Sequence, residues 1–329
     1  MSEKADIIKK KTDINNNSEI LFIYEAKLTN PNGDPDDENR PRMDPKTKRN
    51  LVTDVRLKRY FRDYIIANNG EQAIWVTTIE GKHVDATTRL ESIKGGTPEN
   101  MLEQCIDARL FGATVPLKGK NKKGKNKSRS KSASNTDPEG NDKSKGDSVS
   151  YTGPVQFTWG HSLHKVDMVD SRSITSLFSG RDTGYGSIAK DYRVYYSMIA
   201  FHGAVSAKRA EFTGATEKDL KTLDDGLWDA IITETVTRSK LGQRPLLYVR
   251  VEYSKPEFMT GDLRRFVHVK EKEEAVRDFS DLDVDTSALK KLLESEHVAK
   301  AYVRCSEEFK SFCEGLPSKV QKLPHQGNK

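Results

Sequence analysis

The chain has 329 residues, 35% of them hydrophobic and 32% charged, with a formal net charge of +6, which is longer than a usual single domain and long enough to bury a sizeable core. No run approaches the roughly 20 apolar residues of a membrane span and the N-terminus lacks the apolar stretch of a signal peptide, so a soluble, cytoplasmic protein is expected. Cys105, Cys305 and Cys313, an odd number without CxxC spacing, argue against both a disulfide framework and a zinc site.

The positive charge is local. Eight cations and no acid lie within 118–131, and the stretch on to residue 147 returns two charges, so this segment holds the whole +6 and the rest is near neutral. A polyanion-binding surface elsewhere must therefore be a local stripe on a balanced protein.

In chain order, residues 1–18 are polar and expected to be flexible. Ile20, Phe22, Tyr24, Ala26 and Leu28 then alternate with Leu21, Ile23, Glu25 and Lys27, the pattern of a strand. Over 30–45 the punctuation of Pro31, Asn32-Gly33, Pro35, Pro41 and Pro45 excludes regular structure and shapes a loop. Its carboxylates (Asp34, Asp36, Asp37, Glu38) precede its cations (Arg40, Arg42, Lys46, Lys48, Arg49). From Leu51 the pattern turns helical, with Leu57, Tyr60, Phe61, Tyr64 and Ile65 on one buried face and Asn68-Asn69-Gly70 as the stop. On another side Arg56, Arg59 and Arg62, with Lys58 nearby, form an i, i+3 row that can follow a polyanion. The plainer reading is a solvated face with ion pairs to Asp54 and Asp63, the common fate of charge rows.

Residues 73–79 read as a β-rich run and 98–110 as a helix started by Pro98. Residues 114–150 are a low-complexity basic insertion, too polar to offset its ordering entropy. Its basic tract reads equally as a charged linker or as a tethered polycation for DNA. Within it, 119–126 falls short of a phosphate-binding P-loop because Asn126 stands where Ser or Thr would hold magnesium. Val155, Phe157 and Trp159 mark a resumed strand, and residues 171–193, rich in Gly and hydroxyls and carrying Arg172 and Arg181, a protruding loop. A strand follows over 194–205. Thr216 and Asp219 make a capping box for a helix whose buried stripe is Leu220, Leu223, Leu227, Trp228, Ile231 and Ile232. Leu247, Val249, Val251 and Tyr253 form one face of a later strand, with Leu246, Tyr248, Arg250 and Glu252 on the other. Residues 287–312 read as mainly helical and 321–329 as a flexible tail. Strand, helix, strand, repeated once, predicts an α+β fold: a single domain over 19–320 built on a split βαβ sheet of the ferredoxin or RNA-recognition type, with insertions.

Three blocks carry a family resemblance. The run Asn30-Pro31-Asn32-Gly33-Asp34-Pro35, then Asn39-Arg40-Pro41-Arg42 and Leu51-Val52-Thr53-Asp54-Val55, closely resembles the repeated backbone subunit of Cascade, the type I CRISPR surveillance complex. Thr152-Gly153-Pro154-Val155-Gln156 with Ser173-Ile174-Thr175, and Phe201-His202-Gly203 with Ser206-Ala207, are similar to the same family, subtype I-B before I-C. The resemblance implies an RRM-like palm with inserted finger and thumb segments, candidates for the latter lying in 171–193. It also implies no catalysis and no cofactor or metal. Copies of the chain would polymerise along one CRISPR RNA beside other Cascade subunits, and exposed guide bases would pair with target DNA. Candidate RNA contacts are Arg40, Arg42, Lys48, Arg49, Arg56, Lys58, Arg59 and Arg62, together with Arg172 and Arg181. Type III relatives resemble this family and cut bound RNA with an acidic residue after the first strand, so the alternative is a metal-dependent endonuclease using Asp34. A stand-alone RNA-binding module is a further alternative. His161 and His164 point to opposite sides of a strand and cannot chelate together.

Overall fold

The computed structural model describes residues 10–116, 148–170, 173–176 and 187–324. The principal elements are β1 (Ser18–Thr29), β2 (Arg49–Val52), α1 (Asp54–Asn69), β3 (Gly160–Ser162), β4 (Val194–Val205), α2 (Glu217–Thr233), β5 (Gln243–Tyr253), α3 (Ser287–Glu294), β6 (Val298–Cys305) and β7 (Val320–Lys322). They build one sheet in the order β7-β6-β5-β1-β4-β3-β2, antiparallel except where β7 joins β6. The inner strands β5-β1-β4-β3, with α1 following β1 and α2 following β4 on one face, are the split βαβ arrangement expected of an RRM-like palm.

The period-two pattern of β1 is buried on both sides. Ile20, Phe22, Tyr24 and Ala26 pack against Leu57, Tyr60, Phe61 and Ile65 of α1 and the stripe of α2, whereas Leu21 and Ile23 meet Val249, Leu263, Leu289 and Leu293. The second layer comes from residues 254–297 and 306–316. An open RRM leaves that face exposed; here it is filled with side chains, which leaves the sheet edges as its open surface. No helix among the described residues is long and apolar enough to cross a membrane.

Several expectations are corrected. Residues 10–17 dock instead of trailing: Ile14 is buried, Lys10 N donates to the Glu211 carbonyl and Thr12 to the Ala215 carbonyl. Leu51 and Val52 belong to β2, not the helix, and α1 starts after its N-cap Thr53, whose hydroxyl accepts from Arg56 N. Residues 73–79 form no strand. Arg89 donates to the carbonyls of Glu71, Gln72 and Ile74, and the Asp107 carboxylate accepts from Trp75 N and Val76 N, so buried side chains supply the partners a ladder would have supplied. The 98–110 helix is two, Pro98–Gln104 and Ile106–Phe111, broken at an extended and buried Cys105. Trp159 lies beyond the strand Val155–Phe157, and Ile232 is exposed at the end of α2.

The largest correction concerns 287–312. The helix ends at Glu294, and β6 inserts beside β5 with Ala301, Val303 and Cys305 buried at alternate positions. A helical turn after β6 folds back and brings Cys313 to Cys305, where the two form a disulfide across a separation of 8 residues. Residues 321–323 also belong to the body, since β7 pairs with β6 and Leu323 is buried. The ends of the basic insertion form a ribbon, Gly112–Pro116 against Ser148–Thr152. The basic tract and residues 119–126 lie outside the described residues. The 171–193 segment pairs Ser173–Ser176 with Ser187–Lys190.

His164 beneath the sheet predicts acid sensitivity. Its Nδ1–H donates to the Lys165 carbonyl at 2.6 Å, its Nε2 accepts from Met198 N at 3.1 Å, and burial pushes its pKa down to about 4. The folded value lies below the ordinary one of about 6.5, so the unfolded chain takes up the proton first. This stabilisation is complete above about pH 6.5 and is lost as pH falls toward about 4. The urea midpoint should drop across that window, and His164→Gln should make the drop shallower; superimposable profiles would refute this assignment.

Candidate nucleic-acid interface

Asparagines hold the loop between β1 and α1. The buried Asn30 donates from Nδ2 to the Asn39 carbonyl at 2.8 Å. Asn32 Oδ1 accepts from Thr53 N at 2.9 Å and Thr53 Oγ1 at 3.0 Å, which pins the turn to the N-cap of α1. Asn50, buried in β2, donates to the Arg42 carbonyl at 2.9 Å and accepts from Ser197 of β4 at 3.1 Å, while its N–H donates to Ser162 of β3 at 3.0 Å. Lys48 adopts φ +55° at the turn into β2 and is exposed. The short amides thus take backbone roles and leave the longer cations for the surface.

Along the β2–β3 edge run two adjoining clefts that share Leu51 and Trp159. The larger, of about 730 Å³, lies between Arg49, His161, Arg264 and His268. In β3, Gly160 and Ser162 face inward, and a Cβ at Gly160 would meet the Phe201 ring at 2.5 Å. Trp159 and His161 therefore face the cleft, with Trp159 49% exposed. Arg264 donates to the Trp159 carbonyl at 2.9 Å and is gripped by Asp262 at 2.7 Å. It also lies 3.0 Å from His161 Nδ1, and burial, reinforced by Arg264 and Arg49, pushes the His161 pKa down to about 4. His161 is thus neutral and accepts. Arg49 donates to the Ser162 carbonyl at 2.7 Å and has no carboxylate in ion-pair distance among the described residues; burial lowers its pKa.

The smaller cleft receives Arg40 and Arg42. Arg40 lies over the Tyr192 ring at 4.9 Å and within 3.7 Å of Asp37 and 3.8 Å of Glu38. Glu38 also accepts from Lys190 at 2.7 Å and Tyr192 at 2.5 Å, bonds that hold its pKa below the usual carboxylate range. Arg42 pairs with Asp34 at 2.7 Å and lies 6.0 Å over the Trp159 ring. Asp34, the carboxylate of the endonuclease alternative, is thus engaged by a guanidinium. No group of three or more His, Cys, Asp or Glu is placed to hold a metal ion among the described residues.

The helix row is not an open stripe. Arg62 is only 9% exposed and its Nε donates to Asp107 at 2.8 Å, so its guanidinium serves the core. Lys58 pairs with Asp54 at 3.0 Å and sits 5.4 Å over Phe111. Arg56 stacks at 4.1 Å over Tyr60, and Arg59, 42% exposed, pairs with Asp63. Four cations within seven residues each have a different side-chain partner: Tyr60, Asp54, Asp63 and Asp107. Arg172 and Arg181 lie outside the described residues. Sequence reasoning missed Trp159 and Arg264. The Val155, Phe157, Trp159 alternation suggested that Trp159 was core, and nothing near Arg264 in sequence linked it to β3.

Residues 16–287 match the family model described as CRISPR-associated protein Cas7. The chain belongs to the Cas7 family. A curated Cas7 of Haloferax volcanii is 34% identical over 297 residues, covering 85% of this chain and 83% of that one. In fold, this Cas7 is similar to a chain of a CRISPR RNA-guided surveillance complex in a pre-nicking state, with a TM-score of 0.50, 12% identity and coverage of 94% and 96%. A chain of another CRISPR RNA-guided surveillance complex aligns with a TM-score of 0.46, 13% identity and coverage of 94% and 95%. The first match and the sheet order agree on the α+β, Cas7-like architecture.

Proposed function

We propose that this Cas7 chain is a non-catalytic backbone subunit that binds CRISPR RNA, lines up in several copies along one guide within a type I surveillance complex, and holds the guide for pairing with target DNA. The observation that carries the reading is the edge groove. Arg49 lines it without a carboxylate ion pair among the described residues, the exposed Lys48 precedes Arg49 in the turn into β2, Arg40 and Arg42 enter it from the finger-like loop, and Trp159 gives it an aromatic wall. Arginine and lysine contacts to phosphate position a strand without reading its sequence, which suits a subunit that must accept any guide. Other Cascade subunits would cap the filament and a separate nuclease would cut. The Asp34–Arg42 ion pair favours binding over the endonuclease alternative.

Co-expression with CRISPR arrays of two spacer lengths tests the proposal. The mass of the purified particle should rise in whole-subunit steps as the spacer lengthens. A fixed stoichiometry whatever the RNA length would instead indicate a stand-alone binding module.

A further inference from the structure

Trp159 stands apart from the other two tryptophans. Trp75 and Trp228 are 6% and 3% exposed, core side chains, whereas Trp159 is 49% exposed. An indole left half in water at the meeting of two clefts carries apolar surface that the fold does not cover. Its backbone is held: the residue before it, Thr158, bonds to the His202 carbonyl from N–H at 2.9 Å and from Oγ1 at 3.2 Å. Arg264 bonds to the carbonyl of Trp159 itself, and Gly160 behind it admits no side chain against Phe201. Beside the indole the smaller cleft is floored by Leu51, Met43 and Met168. Arg42 lies over the ring and Arg49 borders the neighbouring cleft. An aromatic wall, an apolar floor and flanking guanidinium groups are the parts that hold one unpaired base and the phosphates beside it.

Building on the RNA-binding reading, we propose that Trp159 is a base-stacking residue, and that the junction of the two clefts takes one unpaired nucleobase of single-stranded RNA, with Arg49 on an adjoining phosphate. Arg264 is a positioning residue. It is tied to Asp262 through Nε and Nη2 and acts through the Trp159 carbonyl and His161. Stacking of this kind tolerates any base, because every base offers a π-face, and so it demands no guide sequence.

The buried positions of Trp75 and Trp228 make Trp159 the natural fluorescent reporter. The full-length protein, freed of nucleic acid, would be titrated with a fluorophore-labelled short oligouridylate, with anisotropy reporting binding and intrinsic fluorescence reporting the indole. Binding should quench the tryptophan emission. Trp159→Ala should lower affinity by about 5- to 140-fold, the range for one base–aromatic stack, and abolish the quench. Trp159→Phe should retain most of the affinity while losing the quench, which separates stacking from a folding defect. A rise in anisotropy without quenching, with Trp159→Ala binding like the parent, would overturn the slot and leave RNA binding standing. Equal quenching by a blunt RNA duplex would overturn the unpaired-base assignment. No anisotropy change in the parent would overturn both the slot and the function on which it rests.

Discussion

Asp224→Ala is expected to lower folding stability by about 3–5 kcal/mol, the range for stripping one partner from a buried ion pair. Asp224 of α2 and Arg250 of β5 are both 1% exposed at their side chains and are joined by bonds of 2.9, 3.1 and 2.9 Å. Tyr248 adds its hydroxyl to the same carboxylate at 2.6 Å. Without the carboxylate, the guanidinium between helix and sheet keeps only the longer, 3.6 Å pair with the half-buried Glu217, and a buried hydroxyl loses its acceptor. Lys221→Ala, which breaks the exposed i, i+4 pair with Asp225, should cost at most about 1 kcal/mol. The double variant Asp224→Leu with Arg250→Met should recover part of the loss, since burying two charges is itself costly. Urea denaturation of the four proteins decides it, and equal midpoints for Asp224→Ala and Lys221→Ala would sink the account.

The second large effect concerns salt. If Arg40, Lys48 and Arg49 each neutralise one phosphate of single-stranded RNA, replacing all three by Ala should flatten the slope of log affinity against log salt by roughly 2, at about 0.7 per contact. Arg59→Ala on α1 should leave the slope nearly unchanged, because that guanidinium lines neither cleft and is paired with Asp63. A slope that falls for Arg59→Ala and not for the triple variant would return the RNA to the helix face. Arg62→Ala cannot serve as that control: it would leave Asp107 charged and buried, and its effect would be on folding.

Local chemistry alone specified a good deal of this protein. The alternation of β1, the capping box of Thr216 with Asp219, the apolar faces of α1 and α2, and the turn-forming NPNG run are encoded by residues within one or two turns of each other, and each appears in the structure. The same loop motif was long enough to indicate the Cas7 family. Long-range partners were decided elsewhere. A period-two pattern was present in Val298–Cys305, but its strand character was realised by pairing with β5, and the approach of Cys313 followed from the turn after it. Residues 73–79 had strand composition, yet Asp107 and Arg89 satisfied their backbone from the side. Charge rows reveal spacing and not partners, so Arg62 went to Asp107, 45 residues away, while Arg264 reached Trp159 across a separation of 105. Hydrogen-bond propensity and hydrophobic period act over a few residues and can be read along the chain. Which cation is neutralised, which aromatic stays in water and which sheet face is covered depend on packing between distant segments, and these the tertiary structure alone determines.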